Sequence, residues 1–495
     1  MMKRIFLTLI AVSFISAYLY SCSSNQEQPA DSDRTAGDSD IIAAADENVE
    51  TIPEVDLYLT DYLPERDYDG YEFTIIMYED HISGTSMYIA EEEMGEVLND
   101  AMYIRNTNIE DRFNIKINGM GVPWGETTNL VRRSVQAGDH SYDLLALHII
   151  DSCVPLFNGG LIYNWLDVPD INLDKPWYNQ SIIDLVEMQG FLPYLVGDFN
   201  YGSYPFTYGM IFNKDYIPKY ALENPYDLVR SGDWTLDKFT EMVKMFSEDV
   251  NGDGMFDERD SYGYVSDFWL YHSNFIYATG NLCVQKTADN QLELVLYNEK
   301  TTSLIERLYD IIYVGNNTFQ YDIYGTNPLT IDQNRSFIQA LWLYDLPMMR
   351  SMEANFGIIP YPKWDGQQEN YLTSVDARGG ALALPVNSPD IERSGIIVEA
   401  LSAESRRLVV PAYYDVSLSV KDARDEESRE MLDILFAGRV YDIGYIYDSG
   451  MYWLTRQLLE NRSTDFTSLY ERNEAQYQRH YDRIAEQYAA FMERE

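Results

Sequence analysis

The sequence predicts an α/β protein built on parallel sheets that are covered on both faces, with more than one core. Three observations carry this. Apolar strand-like runs alternate with helical ones: "YEFTIIMY" (71–78), a stretch with Leu98, Met102, Ile109 and Phe113 on one helical face, "IKING" (115–119), a second helix near Thr127–Ala137, and "YDLLALHII" (142–150). The runs are nearly continuous in apolar residues, as strands buried on both sides must be. The chain from about Tyr58 onward is too long for a single core and implies two domains.

Ligands of such sheets sit beyond the carboxyl ends of the strands. That points to Glu79–His81, Gly121–Gly125 and Asp151. Further along, residues 191–217 read as two strand-like runs across a Gly/Pro/Tyr stretch. A helix follows Thr235, its expected N-cap, with Phe239, Met242, Val243 and Phe246 at helical spacing. "SYGYVSDFWL", "FGIIPYPKW" (356–364) and "GGALALP" (379–385) read as extended. From Phe466 onward, Tyr470, Tyr477, Tyr481, Ile484, Tyr488 and Phe491 mark an amphipathic helix expected to dock on the body.

The chain begins with basic Lys3 and Arg4, then an apolar run from Ile5 to Tyr20. That run is shorter than the ~20 residues of a membrane span and reads as an export signal over residues 1–21. Leu19-Tyr20-Ser21-Cys22 resembles a bacterial lipobox, which predicts a lipid anchor on Cys22. Residues 22–57, rich in acids, Ser, Ala and Asn, bury too little to fold and read as a flexible tether. Formal net charge is −44, from 36 basic and 80 acidic residues. Such a surface repels nucleic acid and suits neutral or cationic solutes.

"DVNGDGMFDERD" (249–260) places Asp249, Asn251, Asp253, Asp257 and Asp260 in the ligand pattern of a twelve-residue calcium loop. Met255 would give its carbonyl, and Gly254 allows the sharp turn. The same residues also make a good acidic turn without metal. No second helix follows, so one structural calcium, a clip rather than a sensor, is the expectation.

Catalytic signatures are scarce. The five histidines form no close metal pair, and no nucleophile elbow, P-loop or dinucleotide fingerprint occurs. No enzyme activity is expected. Aromatics make up 14% of the chain. Most must be core, but Trp124 in "GVPWGE", Trp177 in "DKPWYNQ" and Trp269 in "SDFWL" fall in loops where a ring could stack on a sugar.

"LNDAMYIRNTNIEDRFNIKI", "DKPWYNQ", "GMIFNKDYI", "GDWTLDKFTEMVKMFSEDVNGDGMFDERDSYGY", "FGIIPYPKW" and "PAYYDVSLSVKDARDEESREMLDILFAGRVYDIG", in this order, resemble family 1 extracellular solute-binding proteins, lipoproteins of carbohydrate-type ABC importers. The resemblance runs from about residue 70 to 455. It implies a two-lobe, type II periplasmic-binding-protein-like fold with hinge strands and C-terminal helices. The implied division puts 58–206 and 356–404 in lobe 1, and 207–355 and 405–495 in lobe 2. It further implies an extracytoplasmic monomer, tethered by its lipid, that closes on a mono- or oligosaccharide and presents it to an ABC permease. Asp376 and Arg378 in "SVDARGG" fall near the expected hinge, as solute ligands or as a hinge ion pair. Asp198 joins them as a hydrogen-bonding carboxylate. A disulfide between Cys153 and Cys283 would tie the lobes and oppose closure, so none is expected. The rival readings are a secreted glycan hydrolase, which needs two carboxylates ~5–10 Å apart in a cleft, and a binding protein that feeds a sensor.

Overall fold

The computed structural model describes residues 60–79, 84, 87–267, 272–321, 330–418 and 426–492. Its strands are Tyr71–Tyr78 (β1), Ile115–Val122 (β2), Leu144–Leu147 (β3), Tyr208–Asn213 (β4), Ser247–Glu248 (β5), Ser261–Asp267 (β6), Val284–Lys286 (β7), Leu292–Leu294 (β8), Thr318–Tyr321 (β9), Ser336–Trp342 (β10), Phe356–Ile359 (β11), Thr373–Ser374 (β12), Ala381–Ala383 (β13) and Arg439–Val440 (β14).

They form two main sheets. The first has the order β13-β3-β1-β2, with β1 parallel to β2 and β3, and β13 antiparallel on the edge. The second runs β11-β4-β10-β6-β5, with β9 also on β6. There β6, β9 and β10 are parallel, while β4 runs antiparallel to both its neighbours, β10 and β11. Every residue of β3, β4 and β10 is buried, as expected of strands covered on both faces. Helix Val97–Phe113 buries Met102, Ile109 and Phe113. Its partner across the lobe is the long helix Ile391–Leu418. Buried Asp143 ties this lobe together, accepting from Tyr71 Oη (3.0 Å), the Thr74 N–H (2.9 Å) and Arg393 (3.2 Å).

Several expectations shift. The third strand stops at Leu147 because the His148 side chain caps a helical turn, Ile149–Cys153. Residues 191–217 hold one strand, β4, preceded only by isolated bridges such as Leu195 to Leu382. Thr235 does cap helix Leu236–Val243. The acidic loop joins β5 to β6 as an antiparallel hairpin.

The lobe boundaries move as well. Strand β11 pairs along β4 from Phe356–Asn213 to Ile359–Met210, so residues 356–359 belong to the second sheet. The chain regains the first sheet only at β13. Helix Ile391–Leu418 runs unbroken through the expected boundary at 404/405. The C-terminal helix, Phe466–Met492, is not confined to lobe 2. Its first turns meet Tyr297, with Tyr470 stacked on that ring at 4.9 Å. At its far end Tyr488 Oη donates to the Val186 carbonyl (2.7 Å), and Phe491 stacks on Phe191 at 4.3 Å. Cys153 and Cys283 are both buried free thiols.

Between the sheets the chain crosses where β12 pairs with β14 in parallel. Here backbone packs on backbone: a Cβ on Gly202 would lie 2.7 Å from the Gly379 carbonyl oxygen. Only glycine permits that approach.

Candidate functional site

The carboxyl ends of the first-lobe strands place Tyr78, Trp124 and His148 together. Trp124 follows β2, and Gly125 turns the chain sharply with φ +81°. The indole stacks on Tyr78 (centroids 4.5 Å, planes 24°) and meets His148 edge-on at 5.0 Å. The residue is 46% exposed.

His148 Nδ1 accepts the Asp151 N–H at 3.1 Å. A nitrogen that accepts carries no proton, so the 3.5 Å approach of the Asp151 carboxylate to Nδ1 is not an ion pair. Burial, with the nearby charge of Arg378, pushes His148 down to about 3. The ring is therefore neutral. Burial raises the Asp151 carboxyl, which Arg378 partly offsets.

In the second lobe β6 and β10 run parallel and end at Asp267 and Trp342, with Tyr208, the start of β4, opposite Trp342. Tyr321 of β9 lies opposite Asp267. Asp345 follows β10. Burial first, and neighbouring Asp267 further, push its carboxyl up to about 7. The hinge turn Ala377–Gly379 sits between the two edges, capped by Asp376, whose Oδ1 accepts the Arg378 N–H (3.0 Å). Its Oδ2 accepts Tyr208 Oη (2.9 Å) and Tyr445 Oη (3.3 Å). Arg378 reaches the other way. Its guanidinium lies 5.5 Å from the Trp342 ring centroid, and its charge acts on His148 and Asp151 across the gap.

The structure thus brings together Trp124, Asp376 and Arg378. Trp177 is elsewhere: it is 1% exposed, packed in the first-lobe core against Tyr178, with Lys175 above its ring. Asp198 is also buried, bonded to Tyr204 Oη (2.9 Å) and Arg406 (3.3 Å), and burial pushes its carboxyl up to about 6. Its oxygens are committed there, so it does not present a free carboxylate. Trp269, like Cys22, lies outside the described residues. Sequence reasoning missed His148, Trp342 and Asp345. Their signal was position alone, at or just past the ends of β3 and β10, and β10 had not been singled out.

In the acidic loop, Gly252 (φ +71°) and Gly254 (φ +78°) wind the backbone so that side chains curl onto their own N–H groups. Asp249 accepts from Gly252 and Gly254, Asn251 from Asp253, and Asp253 from Met255. Asp260, wholly buried, accepts from Val250 and Asp257. The donors are all oxygens and suit a hard cation. Arg259 bridges Asp253 (2.9 Å) and Asp257 (2.5 Å), holding the Asp257 carboxyl down to about 2. Among the described residues no three His, Cys, Asp or Glu side chains are gathered as a metal shell. The guanidinium draws two of them aside.

No family model matches the chain, and no curated protein matches it in sequence. Solved structures do match. An ABC substrate-binding protein from Listeria monocytogenes in complex with cycloalternan aligns at TM-score 0.53 and 12% identity, covering 86% of this chain and 99% of that one. The galacto-N-biose-/lacto-N-biose I-binding protein from Bifidobacterium longum, in complex with lacto-N-biose, gives 0.55 at 11% identity, with 86% and 98% covered. A sugar transporter protein from Rhizobium etli in an open conformation gives 0.54 at 14%, with 85% and 100% covered. The fold is the two-lobe binding-protein fold. In a binding-protein fold the gap spanned by Arg378, between the Trp124 edge and the Trp342 edge, is the interlobe cleft.

Proposed function

We propose that this chain is a non-enzymatic, extracytoplasmic solute-binding protein that captures a carbohydrate and presents it to the permease of an ABC importer. One observation carries the reading: the two strand-end edges face each other across a hinge. One offers a half-open indole, Trp124, and the other an arginine over Trp342. Indole faces hold sugar C–H faces, and a guanidinium holds hydroxyls. The sugars named for the Listeria and Bifidobacterium structures support a saccharide. Solute bound to both edges stabilises the closed form, which the permease would recognise.

The reading includes a lipid on Cys22 that tethers a monomeric protein to the membrane, supported by the basic start, short apolar run and lipobox-like "LYSC". It also includes one structural calcium in 249–260, held by Asp249, Asn251, Asp253, Asp257 and Asp260 with the Met255 carbonyl. The curled side chains and oxygen-only donor set support it, and the ion would displace Arg259.

A thermal-shift screen of the purified protein against mono- and oligosaccharides tests the function. A ligand that binds only the folded state raises the melting temperature by mass action. At least one saccharide should do so at millimolar concentration, and a flat response across the panel sinks the proposal.

A further inference from the structure

His148 carries a hydrogen-bond donor that the protein itself does not use. The ring closes the carboxyl end of β3, where its Nδ1 accepts the Asp151 N–H at 3.1 Å. A backbone N–H can only donate, so Nδ1 holds a lone pair and the proton of the neutral ring sits on Nε2. Among the described residues no group bonds to that nitrogen. The side chain is 10% exposed, and Nε2 is not sealed from solvent. The tautomer is fixed from one side, and the donor is left open on the other.

The surroundings of this donor are those expected of a solute. The imidazole stands at 71° to the Trp124 indole, with centroids 5.0 Å apart. The hinge turn Ala377–Gly379 packs against the turn that His148 caps, and Ala381 pairs with Leu147, the residue before His148. The open nitrogen therefore lies where the first-lobe strand ends meet the hinge, beside the ring that would carry the sugar. A sugar resting on that indole brings its hydroxyl and ring oxygens within hydrogen-bond reach of the imidazole. Burial keeps the ring from protonating, so the donor is uncharged at neutral pH.

We propose that His148 is a solute-binding residue whose Nε2–H donates to an uncharged oxygen of the saccharide held at Trp124. This rests on the solute-binding reading above. A neutral donor bonds a hydroxyl or ring oxygen without calling for a balancing charge. The Asp151 N–H fixes the tautomer before the solute arrives, so no proton has to move on binding.

Two variants separate this role from capping. In His148→Asn the side-chain oxygen takes over the bond from the Asp151 N–H, since asparagine is among the best capping residues, but the side chain ends short of Nε2. Its melting temperature should stay near that of the wild type. The saccharide with the largest thermal shift, from a panel that includes lacto-N-biose and cycloalternan, should bind it about three- to tenfold more weakly by calorimetry. His148→Ala removes cap and donor together and should lose both stability and affinity. In the wild type, nitrogen NMR spectra of histidine-labelled protein should show His148 protonated on Nε2 alone. That proton should exchange slowly with water only once the saccharide is bound. A residue that merely shapes the turn would leave the exchange unchanged, and that result overturns the inference. A proton on Nδ1, or wild-type affinity in His148→Asn, also overturns it and leaves the solute-binding reading standing. A panel without any response overturns both. The wild-type spectra decide by themselves if a variant does not fold.

Discussion

Trp124 stacks on Tyr78 with ring centroids 4.5 Å apart, so one face of the indole is held while nearly half of the residue stays exposed. A ring positioned in this way loses little freedom when a sugar lands on it. Trp124→Ala should weaken the saccharide found in the screen by about tenfold, since aromatic stacking contributes ~0.5–1.5 kcal/mol. The melting temperature should move less than for a core ring, because nearly half of the residue is exposed. Calorimetry beside a melting curve checks both, and an unchanged affinity would remove Trp124 from the site.

Stability should depend on pH through Asp345. Its folded carboxyl sits at about 7, against about 3.9 for an ordinary aspartate. Between those values the folded state binds the extra proton, so stability falls as pH rises from about 4 to about 7. Asp198, at about 6, acts in the same direction over a narrower window. Asp345→Asn keeps the Asp198 contribution and removes the larger one. Melting curves from pH 4.5 to 8 should therefore decline less steeply in the variant than in the wild type. Parallel curves would mean that Asp345 ionises normally in the folded protein.

Calcium and Arg259 should compete. The guanidinium occupies Asp253 and Asp257, two of the oxygen donors that the ion needs. Millimolar calcium should raise the melting temperature of the wild type, and Arg259→Gln should bind the ion more tightly. Asp253→Ala should abolish the shift. If none of the three proteins responds to calcium, residues 249–260 are an acidic turn only.

Phe491 should matter for stability although it lies close to the chain end. Its ring is stacked on Phe191 at 4.3 Å and lies 5.2 Å from Phe157. Phe491→Ala should cost about 2–3 kcal/mol, less than the ~3–5 kcal/mol of a fully buried ring. Tyr488→Phe removes the hydroxyl's bonds to the Val186 carbonyl and to Tyr447 Oη and should cost about 1–2 kcal/mol. Denaturant unfolding monitors both, and equal effects would argue against the stacked contact.

Much of the α/β pattern was legible because burial on both faces leaves its mark in apolar runs: β1, β2 and β6 appear where the sequence puts them. Thr235 was legible because an N-cap is a local event. The extent of β3 was not, since His148 ends it by capping a turn with a ring nitrogen, a role its residue type does not advertise. Trp124 and Trp177 look alike in sequence, each in a Pro-Trp loop. One ends half-exposed past a strand and the other buried in the first-lobe core, and only tertiary packing separates them. The bridging C-terminal helix was legible as amphipathic, but its apolar face does not say that two partners share it.

Strand β13 reaches the first sheet only after the chain has passed through all of the second. The pairing of Ala381 with Leu147 and the docking of helix Ile391–Leu418 therefore join segments made far apart in time. As the chain is made, the second sheet can assemble from residues 208–359 alone, while the first waits for its last strand. Long-range closure of this kind is slow. It leaves the first half of the polypeptide open until that strand arrives, and it makes the completion of that half the late step of folding.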